Sequence, residues 1–152
     1  MRTSGGDRTS LGISAMGEAA PQFEAVTEGV IVRVKPSFLT EKSAPSEGRY
    51  LWMYAVEIEN RSPHAIQLLT RYWRITESAG VTHEVAGEGV VGNQPVLLPG
   101  DIHRYASTAP LGSPSGLMGG RFGMIETESR RPFDVTIPTF VLASPFDTSR
   151  AN

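Results

Sequence analysis

From Thr27 onward the apolar residues of this chain recur with a period of two. Val30, Val32 and Val34 alternate with Ile31 and Arg33 up to Pro36, which predicts a strand with one buried face, stopped by the proline. Tyr50 to Glu59 gives the clearest pattern. Tyr50, Trp52, Tyr54, Val56 and Ile58 point one way; Leu51, Met53, Ala55, Glu57 and Glu59 point the other. That second face turns from apolar to acidic, so its C-terminal half should meet water. Ile66 to Thr76 forms another strand, but its parity slips between Leu68 and Leu69 before Trp73 and Ile75 follow. One extra residue reverses the facing of a strand, so the slip predicts a β-bulge.

Turn chemistry separates these runs. Asn60-Arg61-Ser62-Pro63-His64 is a turn capped by local hydrogen bonds, Ser78-Ala79-Gly80 is tight, and the Ser- and Pro-bearing segment from Lys42 to Gly48 is a loop. Val81 to Ala86 and Ile102 to Ser107 read as short strands. Pro99-Gly100-Asp101 is a turn, and Ala109 to Gly116, with two prolines and two glycines, reads as a long loop. Leu117 to Ile125 is a strand interrupted by Gly119, Gly120 and Gly123, residues that mark bulges or close backbone approach. Phe133, Val135 and Ile137 alternate until Pro138 ends the pairing, and Phe140 and Leu142 start a last short strand. No window has a helical period. Seven to nine short strands with frequent turns predict an all-β sandwich of two antiparallel sheets, with an open barrel as the alternative. Residues 1–22, rich in Gly, Ser and Ala, read as a disordered tail in which Met16 is an alternative start, and 23–148 as one domain.

Composition narrows the function classes. A chain of 152 residues buries about two-thirds of its unfolded surface without a staple. There is no cysteine, which removes disulfides, thiolate metal sites and a cysteine nucleophile. Fourteen basic against 16 acidic residues leave a net charge of −2, which is no nucleic-acid footprint. No apolar run reaches the ~20 residues of a membrane span, and no apolar h-region marks a signal peptide. These features set the expectation of a cytoplasmic protein without a membrane or nucleic-acid partner.

Gly87-Glu88-Gly89-Val90-Val91-Gly92 spells G-x-G-x-x-G, the dinucleotide-binding fingerprint. That fold needs a helix directly after the motif and an acidic residue about 20 positions on. Pro95 and Pro99 forbid the helix, and Asp101 and Glu126 fall too early and too late. Two readings remain: a structural loop whose glycines permit positive φ, and a nest of backbone N–H groups for a pyrophosphate or nucleotide. The first is favoured, because the motif stands outside its structural context.

Arg71-Tyr72-Trp73-Arg74 is the other singular segment. In a strand Arg71 and Trp73 share one face, and Tyr72 and Arg74 the other. Arg, Tyr and Trp are the residues enriched at interface hot spots; the bland reading has one ring in the core and the arginines at the surface. His64, His83 and His103 lack metal-ligand spacing, and Glu84, Glu88, Asp101, Glu126 and Glu128 follow no known ion-binding loop. Ser115 lacks the G-x-S-x-G elbow. The expectation is therefore no enzyme, no metal and no cofactor.

Ile66-Gln67-Leu68-Leu69-Thr70-Arg71-Tyr72-Trp73-Arg74-Ile75-Thr76, followed by Glu84 to Pro95 and Leu98-Pro99-Gly100, resembles the ordered motifs of the ApaG family. Arg49-Tyr50, the segment Pro114 to Met118, and the Phe133 to Leu142 strand are also similar, so the likeness runs from about Glu24 to Pro145. Leu117-Met118-Gly119-Gly120-Arg121-Phe122 departs from the family's Thr-Met-x-Gly-x-Tyr, and Thr127-Glu128-Ser129-Arg130 lacks its hairpin glycine. The resemblance implies an immunoglobulin- or fibronectin-III-like sandwich. It also implies a link to cobalt and magnesium resistance or efflux without an established activity, and relatives that serve as protein-interaction modules. The resemblance places a candidate pyrophosphate or nucleotide site at Gly87, Gly89 and Gly92. An unidentified protein partner, through Arg71–Arg74 or the glycine loop, and self-association through a sandwich edge complete the expectations.

Overall fold

The computed structural model describes residues 22–147; the expected tail lies outside the described residues apart from Gln22. Nine strands follow one another: β1 (Phe23–Thr27), β2 (Val30–Phe38), β3 (Tyr50–Asn60), β4 (Ile66–Glu77), β5 (Thr82–Glu88), β6 (Val96–Leu97), β7 (Ile102–Leu111), β8 (Ser115–Glu126) and β9 (Pro132–Ala143). They form two antiparallel sheets, ordered β1-β2-β3-β7 and β5-β4-β8-β9, with β6 added beside β4. This is the immunoglobulin-like sandwich, not the open barrel. The only helical pieces among the described residues are two single 3₁₀ turns, Thr40–Lys42 and Pro45–Glu47, inside the expected Lys42–Gly48 loop and its approach.

The period-two pattern becomes the core. Val30, Val32 and Val34 from β2 and Trp52, Tyr54, Val56 and Ile58 from β3 meet Leu68, Trp73, Phe122, Val135 and Phe140 from the other sheet. Trp73 sits edge-on to Tyr54 at 5.2 Å and to Phe140 at 6.1 Å, inside the favourable range for aromatic pairs. On the outer face of β3, Glu57 and Glu59 do not simply meet water. Both receive Arg33 Nη1, at 2.8 and 3.0 Å.

Two register shifts set the facing of the second sheet. The one at Leu69 is the bulge expected from the parity slip: Leu68 pairs with Met124 and Thr70 with Gly123. The second lies where Met118 pairs with Phe140 and Gly120 with Ile137, leaving Pro138 and Thr139 opposite Gly119. Pro138 therefore does not end β9; it occupies a bulge, where no ladder hydrogen bond is asked of it. Pro36 likewise does not stop β2, because β1 covers β2 only as far as Val34 and leaves Pro36 on an edge. Pro110 lies within β7, itself an edge strand, so the long loop expected over Ala109 to Gly116 shrinks to Gly112–Pro114. The glycine-free Thr127–Arg130 turn closes by placing Arg130 at φ 63, and Arg130 N–H reaches the Glu126 carbonyl at 2.9 Å.

Candidate functional site

The β4–β5 hairpin folds about Ser78–Gly80, where Glu77 N–H donates to the Val81 carbonyl at 2.8 Å. Counting outward from that turn sets Arg71 directly across from Gly87. The Leu69 bulge then decides the face: Arg71 and Trp73 point inward, Tyr72 and Arg74 outward. The two segments singled out in the sequence thus become one site. Arg71 Nη1 donates to the Glu88 carbonyl at 2.8 Å and to the Gly89 carbonyl at 2.9 Å.

Each glycine of the motif has a distinct geometric reason. A Cβ on Gly87 would press on the Arg71 guanidinium, 2.9 Å from Nη2, so Gly87 is the seat for that side chain. Gly89 has φ 67, and a Cβ there would collide with the Asn93 carbonyl. Gly92, at φ 80, is the second central residue of a tight turn in which Val90 and Asn93 exchange backbone hydrogen bonds at 2.8 and 3.0 Å. Positive φ at both central residues is the type I′ pattern. The first central residue is Val91, at φ 47. A β-branched residue there is an outlier that costs on the order of 1–3 kcal/mol. Val90 tucks into the core while Val91 stands 62% exposed at the tip.

Three backbone donors of this loop are engaged in local hydrogen bonds. Gly89 N–H donates to the Leu69 carbonyl at 2.9 Å, and the amides of Val90 and Asn93 bond each other's carbonyls. Gln94 Nε2 adds a second donor to the Leu69 carbonyl at 2.9 Å. The groups aimed at Arg71 are carbonyls, which hold a cation.

On the outer face, Tyr72 and Arg121 pair across β4 and β8, and the Arg121 guanidinium lies over the Tyr72 ring at 4.2 Å. Arg74 stands beside them, 3.9 Å from Glu84, and Arg121 is 4.0 Å from Asp134. Gly119 lacks a side chain on this face, so Tyr72, Arg74, Leu117 and Thr139 wall a groove of about 300 Å³ over it. A neighbouring cleft of about 410 Å³ reaches from Thr70 and Tyr72 to Asp134. Trp73, 3% exposed, belongs to the core and is not part of this surface.

The remaining candidates do not converge. No group of three His, Asp or Glu side chains among the described residues is placed to hold a metal ion. His64 is 3.9 Å from Glu126, whose carboxyl Arg131 and Ser129 hold well below the usual range. Asp101 accepts the Leu98 amide at 2.8 Å, Glu84 lies by Arg74, Glu88 and Glu128 are exposed, and Ser115 is buried at the start of β8. His83 bonds Glu77 at 2.6 Å, and the same carboxylate accepts Gly112 N–H at 3.0 Å and the Ser113 hydroxyl at 2.9 Å. Burial works to raise the Glu77 carboxyl, but His83, Ser113 and Gly112 together hold it below its ordinary value. His103 and Tyr105 face the gap between the sheets, where burial pushes the Tyr105 hydroxyl up.

Sequence reasoning missed Arg121 and Asn60. Arg121 could have been found by pairing the strand after Gly116 with β4, which sets it opposite Tyr72. Asn60 was seen only as a turn cap. It is fully buried, and its Nδ2 donates to the His64 and Leu97 carbonyls at 2.8 and 3.0 Å while Oδ1 accepts from Ser62.

Comparison with known proteins bears on the family and the fold. The ApaG domain family profile matches residues 40–126. The protein named ApaG in Rhodospirillum centenum is 46% identical over 130 residues, covering 86% of this chain and 99% of that one. Its counterpart in Mesorhizobium japonicum is 47% identical over 123 residues, covering 81% and 94%. A crystal structure from Bordetella pertussis, of a protein described as ApaA, superposes with a TM-score of 0.74 at 40% identity, over 77% of this chain and 94% of that one.

Proposed function

The chain belongs to the ApaG domain family, and from that premise we propose that it is a non-enzymatic, cytoplasmic binding module that holds a protein partner on the outer face of the β5-β4-β8-β9 sheet. The observation that carries this reading is the stack of Arg121 on Tyr72 beside Arg74, over the Gly119 groove. Tyr and Arg are hot-spot residues because they cover large areas at low entropic cost and bond at their tips. The cation–π contact fixes both side chains before any partner arrives, which lowers the ordering cost of association. The Arg74–Glu84 and Arg121–Asp134 pairs are exposed and long, so exchanging them for a partner's carboxylates costs little. Leu117 and Val141, paired on β8 and β9 and both exposed, extend the same face with apolar area. A part in cobalt and magnesium resistance, implied by the family resemblance, runs in this reading through the partner.

Capture from a native extract tests it. Immobilised protein should retain a partner that a Tyr72→Ala/Arg74→Ala variant with unchanged melting loses. Equal retention by both would sink the proposal.

Pyrophosphate or nucleotide binding at Gly87–Gly92 is the narrower reading, since the Arg71 guanidinium and the amides of Gly89, Val90 and Asn93 already have partners in the loop. It expects a melting shift with pyrophosphate. Ligand at 100 times its Kd adds about 2.7 kcal/mol, and no shift at millimolar pyrophosphate removes it.

A further inference from the structure

Strand β5 is an open edge whose only guards are the charges of Glu84 and Glu88. Its residues are exposed apart from half-covered Gly87, and it carries no proline, bulge or lysine. The other edges differ: β9 lies beside β1, with Thr136 N–H donating to Thr27 Oγ1 at 3.1 Å, and β7 carries Pro110. Antiparallel geometry fixes which groups of β5 face out. Glu77 N–H donates to the Val81 carbonyl and Gly89 N–H to the Leu69 carbonyl, and hydrogen-bonded pairs recur at every second residue between them. Val81, His83, Val85, Gly87 and Gly89 therefore turn their amides toward β4. Thr82, Glu84, Ala86 and Glu88 turn theirs away from the sheet.

We propose that β5 pairs antiparallel with β5 of a second copy of this chain, about a two-fold axis through Val85, which joins the two β5-β4-β8-β9 sheets edge to edge. Charge selects this register from those that keep most of the strand paired with outward amides facing each other. An axis at Glu84 sets Glu84 against itself, and an axis at Ala86 sets Glu84 against Glu88. Like charges directly opposite are destabilising. The axis at Val85 sets Glu84 opposite Ala86, Thr82 opposite Glu88 and His83 opposite Gly87, which has no side chain to obstruct the ring. Val85, 44% exposed in one copy, then meets its own image across the axis. That position is a non-hydrogen-bonded pair, with Cα atoms about 4.5 Å apart. This edge borders the Tyr72–Arg121 face, with Ala86 opposite Tyr72 and Glu84 beside Arg74, but the pairing runs through the β5 backbone and does not rest on that face binding a partner.

The absence of cysteine gives a clean test, because Val85→Cys carries the only thiol. Two cysteines at that pair fall within the roughly 4.4–6.8 Å Cα separation a disulfide spans. Under mild oxidation Val85→Cys should give a covalent dimer on a non-reducing gel, while Glu84→Cys, set opposite Ala86, should not. Sedimentation velocity of the full chain over a micromolar-to-millimolar series should show dimer growing in. Ala86→Pro, which removes an outward N–H and leaves the β4 ladder intact, should stay monomeric with unchanged melting. If the proline variant does not fold, Val85→Asp, with two carboxylates meeting on the axis, must be monomeric in its place. A wild type monomeric throughout, equal cross-linking of both cysteine variants, or a dimer that survives Ala86→Pro or Val85→Asp would overturn the proposal.

Discussion

The two sides of the sandwich are made from similar strands and finished in opposite ways. On one side β1 and β2 close over β9. Phe23 packs on Phe140 at 6.0 Å, Thr27 accepts an amide from β9, and Arg131 reaches Glu28 at 2.6 Å across the two-residue Glu28–Gly29 turn. On the other side β5 and β7 end their sheets without meeting. The gap between them holds polar groups: Arg71 under its two carbonyls, Tyr54, and the buried Tyr105 hydroxyl and His103 Nε2, which have no hydrogen-bond partner among the described residues. Burial raises both tyrosine hydroxyls above their ordinary value. The difference teaches where this fold keeps its stability and where it keeps its accessible groups. The closed side is locked by contacts between residues far apart in the chain, an aromatic pair backed by a hydrogen bond and an ion pair. The open side is polar, held by a few charge-assisted hydrogen bonds, and carries the glycine loop and the free edge of β5.

That contrast fails or sharpens under four measurements. Phe140→Ala, on the closed side, should cost about 3–5 kcal/mol in chemical denaturation, the range for truncating a buried aromatic; a loss under 1 kcal/mol would mean that the closed side is not the stable one. Arg71→Met, on the open side, should cost less, about 1–3 kcal/mol for hydrogen bonds from a charged group. Its effect should be local, with faster amide exchange at Val90 and Asn93 and little change in β2 or β9. Uniform acceleration across the core would erase the distinction between the sides. Val91→Gly should stabilise, by about 1 kcal/mol, because glycine adopts the positive φ without strain; a destabilised variant would show that the exposed valine makes contacts that outweigh the strain. The smallest effect concerns pH. The Glu77 carboxyl is held down in the folded state, so its contribution is present above the ordinary carboxylate range, near pH 4–5, and is lost as pH falls through the folded value. Denaturation midpoints of Glu77→Gln should therefore fall less steeply than wild type below about pH 5, and parallel acid limbs would remove Glu77 from the account.

Much of this molecule was legible because alternation is a local property. The inward set of β3 and the bulge after Leu68 could be read from side chains alone. Prolines misled because their meaning depends on topology. Pro36 and Pro138 looked like strand ends and Pro110 like part of a loop, yet each lies in a strand, at an edge or a bulge that does not require its missing N–H. Which strand is an edge cannot be read from the residues around the proline. The glycine motif leads into the short strand β6 and no helix, which Pro95 and Pro99 announced locally. Its actual task was hidden 16 positions upstream, at Arg71, and needed the β4–β5 hairpin to be folded about Ser78–Gly80 first. The outer face was half visible: Tyr72 and Arg74 came from one strand, but Arg121 joins them only through the β4–β8 register.

The Leu69 bulge also has a consequence for how this chain can change length. It acts as a phase setter for β4: all that follows, Arg71 inward and Tyr72 outward, is counted from that one extra residue. Its carbonyl is also the hook that takes Gly89 N–H and Gln94 Nε2. A single residue added or lost between Leu69 and Tyr72 would exchange the two faces, bringing Tyr72 and Arg74 into the core and Trp73 into water. A gain of two would keep the faces and shift only the register. Length variation along this strand should therefore come in even steps, and an odd step should survive only where a second bulge restores the count.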